Sequence, residues 1–281
     1  MIATILSTLV LAPYSVALMP DPAIPALNEQ SGLLKSRQYP GVFWAHNDSG
    51  DLARIFAFRA DGQAVGGSKS KPYEGIRIDG ATNSDWEDIT TDGDNLYISD
   101  LGNNGNARRD LAIYMVPEPN PDVIKHTSAL KRIPVAYDDQ TEFPPAKDFH
   151  WDCEAIFWRR GKLFAITKHR VGRALPGTSA AIYELRSQDA NRINTFRRVS
   201  TAAGLPGWVT SASVSPDGTK LAVLCDRPKK ALLIVDLNLP SAKWLANPVA
   251  KLDLPAEWGQ TESVTWDSPS SLLVGHETAD Q

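Results

Sequence analysis

The chain has 281 residues, of which 42% are hydrophobic and 22% are charged, and its formal net charge at pH 7 is -4. This composition is that of a soluble globular protein, and a charge so close to neutral gives no support to nucleic-acid binding. The length suffices for one large repeat domain or for two ordinary domains.

The first 19 residues are apolar and uncharged. They resemble a secretion signal, with the small residues Ser15 and Ala17 before a cleavage point that follows Ala17. No Lys or Arg precedes the apolar run, so a retained anchor or a misplaced start codon stays open as an alternative. No later segment is apolar enough to span a membrane. We therefore expect an exported protein, periplasmic or secreted, with a single domain over residues 20–281.

Short apolar runs follow this segment, separated by Gly, Pro, Asp and Asn, and helical periodicity is hard to sustain anywhere after residue 20. Runs of this length that are rich in β-branched and aromatic residues predict strands. In chain order, strands are predicted at residues 42–44, 55–58, 96–98, 112–114, 163–166, 181–183, 221–224, 232–235 and 272–274.

The predicted strands form an internal repeat. A polar turn and a second strand follow each of five apolar anchors, and a third strand follows in the first four repeats. A repeat of about 50 residues built from antiparallel strands is typical of a β-propeller, in which each sheet must stack on its neighbours to bury both faces. The anchors are Leu33, Ile89, Ile156, Val214 and Val264.

The repeats predict five blades, or six if a divergent blade lies within residues 110–150. That interval otherwise holds a long insertion at about residues 117–150. The last repeat stops soon after Glu277 and lacks its outer strands. Residues 20–27 could supply one of these strands and close the ring; otherwise the chain is a truncated form.

Acidic residues concentrate just before the anchors. The first strand of a propeller blade lines the central channel, and positions two apart on a strand share a face. The ends of the second strands lie close to these starts, so acids and amides are expected to converge at one mouth of the channel. The predicted metal ligands are Glu29, Glu87, Asp100, Glu154, Asp226 and Glu262, and further channel-mouth residues are Asn47, Asp85, Asp152 and Asn103.

So many carboxylates together repel one another, so that either their pKa values rise or a cation neutralises them. An oxygen-rich set with little His favours Ca²⁺, or less strongly Mg²⁺ or Mn²⁺, over Zn²⁺. In the alternative interpretation the acids are structural: they bond backbone N–H groups and are neutralised by Lys168, Arg108 or Arg109. Catalytic carboxylates without a metal are a third interpretation.

Nucleophilic catalysis finds little support, because no Gly-x-Ser-x-Gly elbow and no zinc-protease histidine spacing occur. His46 and His276 lie at or beside matching strand ends of the first and last repeats, which ring closure would make neighbours. They could form an acid/base pair, although a surface or turn histidine is the commoner explanation. The sequence leaves open whether Cys153 and Cys225 form a disulfide or are two buried thiols.

Four motifs together resemble a group of exported bacterial β-propeller proteins that are mostly uncharacterised: NDSGD (residues 47–51), DWED (85–88), DLGNN (100–104) and VPEP (116–119). The resemblance covers about residues 28–277. Asn103 departs from it, since the family usually has Asp there, and this departure removes a charge from any cation site. More distantly, the chain resembles gluconolactonase-like and phytase-like propellers, which use a divalent ion among channel carboxylates, and TolB-like propellers, which bind proteins.

Two functions follow as hypotheses. In the first, the protein is a divalent-metal-dependent hydrolase of lactonase or phosphoesterase type that acts on a small molecule. Lys168 would then offset charge on the substrate or intermediate, and His46 and His276 would be the acid/base candidates. In the second, the propeller is a non-enzymatic scaffold that binds a protein or a glycan. The fold class, an all-β propeller, is common to both hypotheses.

Overall fold

The structure, a computed structural model, describes residues 13–66, 72–172 and 175–277 in full and the backbone of residues 8–11. The described residues contain no α-helix, and their regular secondary structure is almost entirely β-strand. The first half of the chain forms β1 (Thr8–Leu11), β2 (Tyr14–Leu18), β3 (Gln30–Lys35), β4 (Phe43–Asn47), β5 (Arg54–Phe58), β6 (Ile76–Asp79), β7 (Trp86–Thr91), β8 (Asn95–Asp100), β9 (Ala112–Pro117), β10 (His126–Ser128) and β11 (Lys131–Tyr137).

The second half continues the same pattern, with two single turns of 3₁₀ helix at Ser241–Lys243 and Ala256–Trp258. Its strands are β12 (Phe149–Arg159), β13 (Lys162–Val171), β14 (Leu175–Leu185), β15 (Asn194–Ala203), β16 (Gly207–Val214), β17 (Lys220–Pro228), β18 (Ala231–Asp236), β19 (Ala250–Asp253), β20 (Gln260–Ser268) and β21 (Ser271–Glu277).

The sheets stack around an axis. Their innermost strands are β3, β7, β12, β16 and β20, and these contact one another in that cyclic order. Hydrophobic clusters fill the space between neighbouring sheets; one joins Phe157 of β12 to Val209 of β16 and Trp244. This closed arrangement of antiparallel sheets is the predicted β-propeller, because each sheet buries both of its faces only against its neighbours.

The strands fall into four sheets rather than one sheet for each repeat. One sheet holds eight strands, in the order β12-β13-β14-β15-β11-β9-β8-β7, because β11 pairs in parallel with β15 and antiparallel with β9. Residues 110–150, the interval of the predicted insertion or sixth blade, contain β9, β10, β11 and the start of β12. These strands join the sheets of their neighbours; β10, for example, pairs in parallel with β6.

The sheet of β20 and β21 is completed by strands from the N-terminal region. Residues 15–18 of β2 pair in parallel with residues 271–274 of β21, and β1 pairs with β2. The expectation that residues 20–27 would supply this strand is wrong: they pack against the first sheet instead, with Ile24 and Leu27 in the cluster around Phe43. The predicted leader overlaps β2 and also includes residues 1–7 and 12, which lie outside the described residues, as do residues 278–281 at the C-terminal end.

Two further expectations concern the interior and the membrane. Cys153 and Cys225 are both free and fully buried, each within a different hydrophobic cluster, which agrees with two inert thiols. No helix among the described residues is both long and apolar enough to cross a membrane.

The N-terminal strand should contribute to stability. Val16 is buried against Leu272, Val274 and Trp266. Val16→Asp places a carboxylate in this apolar cluster and should lower the free energy of unfolding by about 2–4 kcal/mol, as measured by urea denaturation. Ser15→Asp, which adds the same charge at the neighbouring, more exposed position, should have a much smaller effect. Equal stabilities of the two variants would show that β2 does not pack as described.

Candidate functional site

A cavity of about 480 Å³ opens at one mouth of the propeller axis. Side chains from the inner strands and from the ends of the second strands line it, as the sequence pattern predicts. The predicted site residues that line it are Glu29, Glu87, Glu154, Lys168, Asp226 and Glu262, and the lining also includes Gln30, Ser31, Asp48, Asn104, Arg170, Trp208, Thr210, Arg227, Gln260 and Glu277.

The inner strands share one irregularity of register, which corrects the sequence alignment of the fourth repeat. Pairing shifts between Val209 and Ser211 in β16, as it does between Thr261 and Ser263 in β20. The residue equivalent to Val264 is therefore Ala212, and the choice of Val214 as the fourth anchor is wrong by two positions. Trp208 and Thr210, which precede Ala212 by four and two residues, line the cavity; counted from Val214, these two positions would be Thr210 and Ala212.

In the first and last repeats, the sequence pattern places the end of the second strand one residue too early in the chain. Lys168 pairs with Asp152 and Asp226 with Trp208, whereas Asn47 pairs with Gln30. Positions equivalent to Lys168 and Asp226 are thus Asp48 and Glu277, one residue beyond Asn47 and His276. Successive residues of a strand point to opposite faces, so a shift of one sends the side chain away from the cavity.

Three predicted residues accordingly bond elsewhere. Asp100 Oδ1 accepts a hydrogen bond from Arg108 Nη2 at 2.9 Å and from the Asp85 backbone N–H at 3.1 Å. The Asn47 amide donates to the Ala26 carbonyl and to Asp51. His276 Nε2 lies 3.1 Å from Asp21 Oδ1. None of the three lines the cavity, although Asp100 was a predicted metal ligand.

His46 is fully buried, and its Nδ1 lies 2.9 Å from the carbonyl of Asn47. Burial lowers the pKa of its ring to about 4, so the ring stays neutral under ordinary conditions. Its edge packs against Trp86, and a Cβ at Gly32 would lie 2.4 Å from His46 Nε2. His46 and His276 therefore have separate partners, and neither ring lines the cavity.

Several acids hold loops by accepting backbone N–H groups, as the structural interpretation expects. Asp152 Oδ1 accepts the Asn103 N–H at 2.6 Å, and Asp226 Oδ2 accepts the Thr261 N–H at 2.8 Å. The Asn103 side chain donates to the Trp151 carbonyl and accepts from the Arg108 N–H. An aspartate at 103 would lack the first of these bonds, so the Asn103 amide serves the loop rather than the cavity.

Acids also cluster at and below the floor of the cavity, where Asp48, Glu87 and Glu154 line it and the predicted channel-mouth residues Asp85 and Asp152 do not. Carboxylate oxygens of Asp48, Asp85 and Glu87 lie within 4.8 Å of one another, and so do those of Glu87, Asp152 and Glu154. Glu87 belongs to both groups. Gly102 makes the close approach feasible, because a Cβ there would lie 2.2 Å from Glu87 Oε1. The absence of a side chain at Gly102 thus allows the carboxyl groups of Asp85 and Glu87 to lie against the backbone there.

Burial dominates the electrostatics of this floor. It raises the pKa of Asp85 and of Glu262 to about 7, with neighbouring carboxylates adding to the shift for Asp85. The pKa values of Glu87 and Glu154 are raised well above the usual range for the same two reasons. Burial likewise raises the pKa of Asp48. The floor therefore holds protons that a bound cation would displace.

Lys168 supplies positive charge within the acidic floor. Its ammonium contacts Glu154 and lies 3.5 Å from Asp152 Oδ2. Burial acts to lower the pKa of Lys168, but Asp152, Glu154 and Glu87 outweigh it and raise the pKa overall. Lys168 is thus a permanent cation that stabilises adjacent carboxylates, and it is unsuited to act as a base.

Asp88 has a structural role that the DWED motif by itself does not indicate. It is fully buried beneath the cavity, and its Oδ2 accepts the N–H of Ile156 at 2.9 Å and of Ala212 at 3.4 Å. Burial raises the pKa of its carboxyl to about 8 although these donors oppose the shift. This one side chain connects β7 to β12 and β16.

Arg170 and Trp208 are the principal lining residues missing from the predicted site, whereas the sequence already places Asp48 beside Asn47 at the end of a second strand. Arg170 follows Lys168 by two residues on one strand and so shares its face, a signal present in the sequence. Trp208 could be recovered only with the correct register. Arg170 lies 4.6 Å from the Trp208 ring centroid, and Lys168 Nζ lies 5.4 Å from it.

Comparison with known proteins supports the fold alone. No protein-family model and no curated protein matches the chain. Myxococcus xanthus glutaminyl cyclase is similar in structure, with TM-score 0.50, 13% identity, and coverage of 94% of this chain and 92% of that chain. The Dos1 propeller has TM-score 0.42 and 10% identity, covering 92% and 56%. Kuenenia stuttgartiensis hydrazine synthase has TM-score 0.39 and 14% identity, covering 87% of this chain; the chain spans about half of that one, 53%.

The raised carboxyl pKa values predict an unusual pH dependence of the free energy of unfolding. Unfolded Asp and Glu titrate near about 4, whereas folded Asp85 and Glu262 titrate at about 7 and Asp88 at about 8. Between these limits the folded state binds more protons than the unfolded state. The free energy of unfolding should therefore fall as pH rises from about 5 to 8.

Urea denaturation of the chelator-treated protein at pH 5 and pH 8 measures this slope. Asp85→Asn and Glu262→Gln should each flatten it, whereas Glu257→Gln, on an exposed turn, should not. Stability that rises with pH over this window would contradict the carboxyl arrangement.

Proposed function

We propose that the axial cavity binds a divalent cation, most suitably Ca²⁺, and that the protein is a metal-dependent hydrolase acting on a small ester, lactone or phosphoester. The observation that carries the proposal is the Asp48, Asp85 and Glu87 group at the cavity floor. Three carboxyl groups so close together ionise together only if positive charge is supplied.

The residues fit a hard cation. All donors at the floor are carboxylate oxygens, the type of ligand that Ca²⁺ and Mg²⁺ prefer. Glu87 is 6% exposed and makes no side-chain hydrogen bond within the described chain, so its oxygens are available to a ligand. Gly102 has no side chain and so lets the chain pass close beside this carboxyl group. Asp48, Asp85 and Glu87 would hold the ion.

The ion and the protein side chains would supply different parts of the hydrolytic chemistry. When bound, such an ion supplies a Lewis acid that polarises a carbonyl or phosphoryl oxygen and favours ionisation of water. Glu262, with a pKa of about 7, is able both to accept and to donate a proton near neutral pH. Lys168 stays protonated and offsets negative charge that develops beside it.

Cation binding is testable by thermal unfolding after chelation, with Ca²⁺, Mg²⁺ and Mn²⁺ then added back. An ion that binds only the folded state at 100 times its Kd stabilises it by about 2.7 kcal/mol. Glu87→Gln should weaken binding at least about tenfold, because Glu87 belongs to both carboxyl groups. Glu257→Gln is the control. Unchanged affinity in Glu87→Gln would reject this assignment of the site.

Cation uptake should also release protons, since the floor carboxyls bind protons near neutral pH. Calorimetric titration with Ca²⁺ in two buffers of different ionisation enthalpy measures the number released. We expect release at pH 6.5 and less at pH 9, where the carboxyls have already ionised, together with tighter binding at pH 9. Ca²⁺ binding without proton release at either pH value would contradict the prediction that these carboxyls take part in cation binding.

One observation favours a second function, a binding scaffold without an ion. Lys168 already neutralises Asp152 and Glu154, so the acids could be a purely structural network. Lys168→Met discriminates between the two functions. It leaves buried carboxyls without a counter-ion and should cost about 3–5 kcal/mol. Under the metal proposal Ca²⁺ restores much of this stability; under the scaffold proposal no ion does, and binding of a protein or glycan is to be sought.

Export is a separate proposal that rests on the apolar leader. A cut after Ala17 would remove most of β2, which pairs with β21. N-terminal sequencing of the protein from periplasm or medium identifies the mature end. A mature chain that begins after Ala17 would require another segment to cover β21, and an intact chain confined to the cytoplasm would refute export.

A further inference from the structure

We infer that Arg170 forms a subsite for an oxyanion, a carboxylate or a phosphate, on the Trp208 wall of the axial cavity. The inference deepens the proposed function, on which its assignment to the substrate rests, because it predicts that the small molecule carries such a group. It depends on different residues from those of the cation site, so the two can be tested apart.

The positive charges of the cavity lie on one side. Among the described residues that line it, the cations are Lys168 and Arg170 of β13 and Arg227 of β17. Arg227 is exposed at the rim and contacts Gln260. Lys168 and Arg170 project from one face of the same strand, two residues apart, toward Trp208. An anion entering this side would meet these charges first.

Lys168 and Arg170 differ in how far their charges are compensated. Lys168 contacts Glu154 directly and is close to Asp152. Arg170 Nη2 has one acidic neighbour, Asp152 Oδ2, at 3.5 Å, which is long for a charge-assisted hydrogen bond. Its Nε is buried without a hydrogen-bond partner in the described part of the chain. A guanidinium carries five N–H donors, so Arg170 has capacity for a further acceptor.

The charges around Arg170 also favour the binding of an anion. Asp152 is shared by Lys168, Arg170 and the Asn103 N–H. Lys168 has Glu154 as a second, direct partner, whereas Arg170 has no carboxylate of its own among the described residues. An oxyanion at Arg170 would supply one.

Arg170 is held in place before any ligand arrives. Its guanidinium lies 4.6 Å from the Trp208 ring centroid, and the side chain is 14% exposed. The Trp208 indole N–H donates to the His169 carbonyl at 2.8 Å. Gly177 packs on the same carbonyl, since a Cβ there would lie 2.8 Å from it. An arginine stacked on an aromatic ring keeps the edge of its fork for a planar oxyanion.

The experiment uses the intact, chelator-treated chain and calorimetric titration with inorganic phosphate and, separately, with acetate. We expect one or both to bind, and the preferred probe identifies the substrate group as a phosphate or a carboxylate. Arg170→Gln should weaken binding at least about tenfold. Arg170→Lys should also weaken it, because an ammonium cannot make the bidentate contact. Arg186→Gln, at a half-exposed arginine paired with Glu184, should bind as the parent does.

Several results would overturn the inference: no binding of either probe by the parent protein, or parental affinity in Arg170→Gln. Circular dichroism and thermal unfolding check that each variant folds. If Arg170→Gln fails to fold, Trp208→Phe replaces it; that variant keeps the arginine but loses the bond to His169, and it should bind more weakly. Parental affinity in this variant would also count against the subsite. Because the titrations are done without a divalent cation, their results are valid whether or not the cation site is confirmed.

Discussion

The carboxyl group of Asp88 is the interaction on which the arrangement of the inner strands depends. It bonds backbone N–H groups of β12 and β16 from a position on β7, so one side chain spans three of the five innermost strands. Ser211, the residue equivalent to Asp88 in β16, continues the connection by accepting the Val264 N–H of β20. Because these bonds join inner strands directly, they set the width of the axis above which the cavity opens.

The acids around this axis differ in the hydrogen-bond donors that reach them. Asp152 and Asp226 accept short bonds from backbone N–H groups, and such donors stabilise a buried carboxylate. Glu87 makes no such bond within the described chain, so the desolvation of its charge is not offset and its pKa rises. A group that is costly to ionise and has free oxygens is suited to a cation or to proton transfer. Glu87 is thus distinguished from Asp152 and Asp226 by its lack of local donors rather than by its acidity.

Strand β13 brings the cationic side of the cavity into the same space. Lys168 compensates the floor, while Arg170 lies against Trp208 with donors to spare. Lys168 and Arg170 thus stand beside the acids of a cavity of about 480 Å³, which is wide enough for a small molecule. Different residues of this one cavity would hold the proposed ion and the proposed oxyanion, so one small ligand could contact both.

The sequence determined the fold class, because short apolar runs, turn residues and the repeat length permit little besides stacked antiparallel sheets. It also placed Glu87, Glu154 and Glu262 in the channel, since they precede the anchors on the strands that line it. It did not determine register at strand ends. Asn47 and Asp48 are equally polar neighbours, and only the pairing with Gln30 shows which one faces the cavity. Likewise, the contacts of Asp88, of Trp208 and of β2 join residues far apart in the chain, and such contacts exist only once the ring has closed.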